Sequence, residues 1–256
     1  MHPLEEKIRR AAVQGRAALI PFVTAGFPTT ATFWKVLEEL DANGADIIEI
    51  GVPFSDPVAD GPMVEEASRR ALEQGVSLRR IMDGLRERRG RFSACLVLMG
   101  YYNPFLQYGL ERFAAEAAAV GVSGCIVPDL PLEESAPLRH ALDTRGLALI
   151  TLVGPNTAPD RMTEYAAVSQ GYVYVVSVLG ITGARQGLPP QVSDTLRRAR
   201  QAFTTPLALG FGLREPSQLA ELPADIRPDA VVFGSALLRH LDTGGSPAEF
   251  LKVWKE

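Results

Sequence analysis

The sequence predicts an α/β protein, a single (β/α)8 TIM barrel with an extra N-terminal helix. Three observations carry that expectation. The chain holds eight apolar, β-branched runs, the number that closes a barrel. Each run lacks the in-out alternation of a sheet wetted on one face and is followed by a helix-like segment, as parallel strands covered on both sides are. No Ser/Gly-rich linker or charge block divides the 256 residues, so 1–256 reads as one barrel domain.

In chain order, the first element is a helix from Pro3 to Gln14, placed to cap the bottom of the barrel. The strands follow as Ala18 to Ala25, Ala45 to Gly51, Ala94 to Tyr101, Gly124 to Asp129, Ala148 to Gly154, Gly171 to Val178, Pro206 to Gly212 and Asp229 to Ser235. Amphipathic stretches such as Phe33 to Asn43, Leu110 to Val120, Glu133 to Arg145 and Pro190 to Phe203 supply outer helices. Gly and Pro concentrate just after the runs, which puts the elaborated loops on the C-terminal face, where barrel active sites lie. The longest of these loops run from Gly51 to Pro62 and from Gly180 to Pro190.

Composition narrows the chemistry. With 46% apolar and 22% charged residues and a net charge of -4, the chain has no electrostatic reason to seek nucleic acid or an anionic membrane. Met1 to Lys7 carries acids where a signal peptide has a basic region, and no apolar stretch is long enough to span a bilayer, so a cytoplasmic location is expected. Cys95 and Cys125 fall within apolar runs and read as small buried thiols. Lysine occurs only at Lys7, Lys35, Lys252 and Lys255, in terminal or helical segments, which excludes Schiff-base or pyridoxal chemistry by this chain alone. His2, His140 and His240 lie in a terminus or in helices, which argues against a His-ligated metal or a Ser-His-Asp triad.

Proton transfer at the barrel mouth then falls to Glu49, Asp60, Asp129, Tyr101 and Tyr174, all at or near strand ends. Asp129 and Asp56, beside prolines and ahead of helical segments, are expected to anchor loops or cap helices. Glu49 is different. An acid inside a buried apolar run must be neutralised, paired or used, and the next loop brings Asp60 toward it. Across the mouth, Gly210-Phe211-Gly212 ends the seventh run and Gly234-Ser235-Ala236 ends the eighth, where backbone amides at glycines approach an anion near a helix N-terminus. Thr182 and Gly183 follow the sixth run in a glycine-containing loop suited to a lid.

These motifs converge on one family. Pro21 to Gly26, Glu49 to Pro62, Leu98 to Pro104, Val127 to Pro131, Gly180 to Gly183, Gly210 to Gly212 and Gly234 to Ala236 occur in the order found in the tryptophan synthase alpha subunit family, which the chain resembles along essentially its whole length. The resemblance implies a lyase that cleaves indole-3-glycerol phosphate to indole and glyceraldehyde 3-phosphate in a retro-aldol reaction. It puts Glu49 and Asp60 on the catalytic carboxylates and Tyr174 on the active-site tyrosine. It also puts Gly183, Phe211, Gly212, Gly234 and Ser235 on the phosphate site. Phe22, Met99, Tyr101, Ile126 and Tyr174 are expected to form the sleeve around indole, with Thr182 holding Asp60 in place. An apolar setting of Ile48, Ile50 and Phe22 is expected to raise the Glu49 pKa.

The family also implies a partner. No cofactor is expected in this chain, whereas the beta subunit, joined in an alpha2-beta2 heterotetramer, would carry pyridoxal phosphate. The expected docking face comprises Pro53, Phe54, Asp56, Pro57, Asn103, Pro104 and Phe105. Two alternatives stay open at this point, a free-standing indole-releasing lyase and a related phosphate-binding barrel isomerase.

Overall fold

The computed structural model describes residues 1–176, 190–210, 213 and 215–255. Its strands are β1 (Ala18–Thr24), β2 (Ile47–Gly51), β3 (Cys95–Met99), β4 (Val122–Ile126), β5 (Ala148–Leu149), β6 (Thr151–Val153), β7 (Val173–Val176), β8 (Leu207–Gly210) and β9 (Ala230–Phe233). All neighbouring strands are parallel, in the order β5-β4-β3-β2-β1-β9-β8-β7-β6. The two edges of that sheet are halves of one predicted run, interrupted only at Ile150. The first half pairs with β4 and the second with β7, so the sheet closes on itself as the barrel the sequence predicts.

The helices are α1 (Pro3–Val13), α2 (Thr30–Ala42), α3 (Pro62–Glu73), α4 (Leu78–Glu87), α5 (Tyr102–Tyr108), α6 (Leu110–Ala119), α7 (Ala136–Asp143), α8 (Pro159–Ala166), α9 (Pro190–Ala202), α10 (Ser217–Ala220), α11 (Ser235–Asp242) and α12 (Pro247–Val253). Two helices, not one, follow each of β2 and β3. The predicted helix from Glu133 to Arg145 divides into a 3₁₀ turn at Leu132–Glu134 and α7, because Pro137 belongs in the first turn of a helix and not in its interior.

Burial separates into two shells, which explains the absence of alternation in the sequence. Ile48, Ile50, Leu96, Leu98, Val175 and Leu209 face the helices, where they pack with Phe33, Leu37 and Leu40. Ile20, Ile47, Val97, Ala148, Ala208 and Val232 fill the barrel interior. Leu4, Ile8 and Ala11 of α1 close that interior from below, and each is fully buried. Each large side chain so buried contributes about 1.5–3 kcal/mol. The helix starts where it does because Pro3 sits in its first turn and the His2 Nδ1 accepts the Leu4 N–H at 3.3 Å. Leu4 and Ile150 both lie against Gly171, whose φ of +72° and lack of a Cβ let them close over it.

Carboxylates fix the lower ends of the strands. Asp46 accepts the Leu19 N–H at 2.9 Å and is paired with Arg16 at 2.6 Å. Asp229 accepts the Leu207 N–H at 2.7 Å and is paired with Arg200 at 2.6 Å. With its polar ties at the bottom, the barrel leaves its upper rim to the longer loops.

Candidate active site

Glu49 lies in the middle of β2, opposite Phe22 of β1 and Val97 of β3. The period-2 pleat of a strand sends Ile48 and Ile50 out to the helices and Glu49 into the barrel. The apolar residues that desolvate it are therefore those of the inner wall. Ile48 and Ile50, expected to do so, point the other way.

The carboxyl group is 0% exposed. Its Oε1 accepts a hydrogen bond from the Tyr172 hydroxyl at 2.7 Å, while Oε2 has no partner among the described residues. Burial pushes the Glu49 pKa up to about 8, against the opposing pull of the Tyr172 hydroxyl. Tyr172 itself is fully buried just ahead of β7, and burial and the Glu49 charge hold its phenol well above the ordinary range. Sequence reasoning missed this residue. The available signal was the spacing of Tyr172 and Tyr174, which puts both rings on one face of a strand whose Tyr174 was already a site candidate.

Asp60 ends the loop between β2 and α3, immediately before the helix cap Gly61. The Tyr101 hydroxyl donates to the Asp60 carboxylate and accepts the Ala59 N–H at 2.9 Å. The Tyr101 ring stacks on Phe54 with centroids 5.1 Å apart, so one side chain grips the loop near both ends. Burial raises the Asp60 pKa to about 6, with Tyr101 opposing and the Glu65 charge adding to the rise. The Tyr101 phenol is raised in turn by burial and by Asp60.

Tyr174 projects from β7 into the barrel, near enough to both acids that their charges raise its pKa beyond the effect of burial. Room for its ring comes from β8, where a Cβ on Gly210 would fall 2.2 Å from the Tyr174 hydroxyl oxygen. Phe22 covers the top of the interior between β2 and β9. A Cβ on Gly51 would fall 2.6 Å from its ring, and one on Gly234 would fall 3.2 Å from it. Met99 and Ile126 belong to the same inner shell.

Beyond Phe22, Gly234 is the N-cap of α11 and Ser235 its first residue, and the glycine itself has no side chain to cap that helix start. Its leading amides and the positive end of the helix dipole are suited to an anion. Thr182, Gly183, Phe211 and Gly212 lie outside the described residues. Thr24, at the end of β1, adds a second buried side-chain oxygen with no partner among the described residues.

Two expectations about other residues divide. Asp129 does anchor a loop, accepting the Tyr102 N–H at 2.9 Å at the start of α5. Phe105 does not belong to an outer face. It is 0% exposed and packs on Phe113 with centroids 4.5 Å apart, because α5 turns it inward, and Pro53 is buried as well. The exposed apolar side chains beside them are Val58 and Leu106.

A sequence profile described as tryptophan synthase alpha chain matches residues 8–252. The chain is 68% identical over 255 residues to the tryptophan synthase alpha chain of Desulfovibrio desulfuricans, with 100% of both chains covered. It is 43% identical over 256 residues to that of a Picosynechococcus species, covering 100% of this chain and 96% of the relative. In structure it matches a chain of Mycobacterium tuberculosis tryptophan synthase with a TM-score of 0.88 at 33% identity, covering 99% of this chain and 95% of that one.

Proposed function

The chain belongs to the tryptophan synthase alpha chain family, and on that premise we propose how the barrel mouth carries out the family's reaction. The reaction is a lyase step of tryptophan biosynthesis, the retro-aldol cleavage of indole-3-glycerol phosphate to indole and glyceraldehyde 3-phosphate. Breaking a carbon–carbon bond requires an electron sink, and the indole ring becomes one once its C3 is protonated. Glu49, protonated at neutral pH, gives its proton to C3. Asp60, ionised at the same pH, stabilises the indolenine-like cation at the ring N1–H. The side-chain bond at C3 then breaks, its electrons return to the ring, and the adjacent hydroxyl becomes the aldehyde as its proton passes to the Glu49 carboxylate. Glu49 is thereby restored to its starting state.

The observation that carries this reading is the separation of the two acids at one mouth, about 8 for Glu49 and about 6 for Asp60, so that one donates while the other is charged. Phe22, Tyr101 and Tyr174 enclose the indole, with Tyr101 also holding the Asp60 loop. The phosphate sits at Gly234 and Ser235, joined by Gly183, Phe211 and Gly212, and supplies binding energy remote from the reacting bond. Glu49→Gln and Asp60→Asn, assayed by indole release, should each lower turnover by about 10²- to 10⁴-fold. A folded variant of either kind with wild-type turnover would remove that residue from the mechanism.

The chain acts as one barrel domain in the cytoplasm without a cofactor of its own, and pyridoxal phosphate belongs to a beta partner in an alpha2-beta2 heterotetramer. No helix among the described residues is long and apolar enough to cross a membrane. Val58 on the Asp60 loop, 86% exposed, and Leu106 on α5, 49% exposed, offer apolar contacts for the partner beside the mouth. Asp substitutions at both positions should weaken association in sedimentation with the beta subunit and leave the isolated barrel folded.

A further inference from the structure

The barrel wall opens at one seam. β4 and β5 are paired as far as Cys125 and Leu149, and the Ile150 N–H donates to the Cys125 carbonyl at 2.9 Å. Beyond that point the chain changes sides. β6 pairs with β7, and among the described residues no ladder joins it to β4. A cavity of about 260 Å³ fills the gap, bounded by the turn after β4, by α7 and by the end of α8.

The lining mixes apolar side chains with the polar Asp129, Ser135, Thr151 and Tyr165, and Arg139 is its one cation. Leu130 and Leu132 line it from the turn, Leu149 from the strand and Arg139 from α7. The Arg139 guanidinium donates from Nη1 to the Val168 carbonyl at 2.9 Å and from Nη2 to the Ser135 hydroxyl at 3.1 Å, both neutral acceptors. Those two bonds use two of its five N–H donors. Burial pulls its pKa down and only the charge of Asp143 opposes the fall, so an anion brought alongside would relieve a standing cost. Asp129 lies on the same rim with one oxygen engaged by the Tyr102 N–H, which disfavours a second negative charge on whatever binds.

We infer that this seam cavity binds a small monocarboxylate with an apolar body, the carboxylate on the remaining N–H groups of Arg139 and the body against Leu130, Leu132 and Leu149. A planar guanidinium matches a carboxylate through two parallel hydrogen bonds, whereas a dianionic phosphate would be half neutralised and would face Asp129. The volume is just below the range of drug-sized pockets, about 300–1,000 Å³, which restricts the ligand to a single ring or a short branched chain. Neither Glu49 nor Asp60 lines the site, and it does not depend on the roles assigned to them.

The test uses the full chain with an indolyl-alkyl phosphate present to fill the barrel mouth. Isothermal titration with 3-phenylpropionate should give saturable one-to-one binding, with inorganic phosphate and 3-phenylpropylamine binding at least ten-fold more weakly. Arg139→Gln should weaken 3-phenylpropionate by about ten-fold or more. Leu132→Trp, which fills the cavity from its half-buried turn, should abolish binding while turnover of indole-3-glycerol phosphate is unchanged. No binding at millimolar ligand would overturn the inference. So would displacement by the indolyl phosphate, tighter binding of phosphate or amine, or wild-type affinity in folded Leu132→Trp.

Discussion

Tyr172 donates a 2.7 Å hydrogen bond to one oxygen of Glu49, and the other oxygen of that carboxyl has no partner among the described residues. The bond favours the carboxylate against a burial that disfavours it. Tyr172→Phe therefore removes the one opposing pull, and the alkaline limb of the kcat/KM profile should move to higher pH while the acid limb stays in place. An unmoved alkaline limb in the variant would show that this hydroxyl does not set the ionisation of Glu49.

The wild-type profile should itself be bell-shaped. Activity needs Asp60 charged and Glu49 protonated, which is the dominant state between about 6 and about 8. Asp60→Asn should lose the acid limb from whatever activity remains. A flat profile in the wild type across that interval would contradict the assignment of the two protonation states.

Stability should show the same burial with a definite sign. Because the Glu49 pKa rises on folding from 4.5 to about 8, the folded chain keeps a proton that the unfolded chain releases, and stability falls as pH climbs through that interval. Above about 8 the loss is complete. Glu49→Gln lacks this decline, so its advantage over the wild type should grow from pH 5 to pH 9 by on the order of a few kcal/mol. Urea unfolding at several pH values gives the comparison, and parallel curves for the two proteins would count against a carboxylate penalised by burial.

Gly210→Ala tests the space reserved for Tyr174. The new methyl carbon would fall 2.2 Å from the phenol oxygen and 2.3 Å from the ring carbon that bears it, so the ring or the strand must shift. Overpacking of this kind costs about 1–3 kcal/mol. Thermal unfolding should register that loss, and turnover should fall with it. Wild-type values for both would show that Tyr174 moves aside freely.

Much of the barrel was legible because a strand buried on both faces writes a continuous apolar run, and all eight runs correspond to strands or to the split strand around Ile150. The split itself was not legible, since Ala148 to Gly154 reads as one run with only Thr151 polar, and pairing partners are a property of the closed sheet. Glu49 and Asp60 stood out as acids in places where acids are costly. Tyr172 did not, because a tyrosine in an apolar run looks like core until its hydroxyl is seen to have a buried acceptor. The same blindness to direction misassigned Ile48 and Ile50, whose neighbours in sequence are not their neighbours in space, and Phe105, whose place in a proline-containing loop motif concealed that α5 turns it inward. The rim formed by Thr182, Gly183, Phe211 and Gly212 lies outside the described residues, so that part of the site rests on the sequence motifs.

The helix that seals the barrel floor has a consequence for how the protein is made. Leu4, Ile8 and Ala11 precede every strand in chain order, yet Leu4 packs beside Ile150 and Gly171. Its docking site is not complete until synthesis has passed Gly171, so until then part of the apolar face of α1 is unclaimed. Long-range closure of this kind slows folding and lengthens the time during which such a face is open to wrong contacts. The helix that precedes every strand is thus among the last elements to find its place, and a nascent chain stalled before β7 would present that face to chaperones or to other nascent chains.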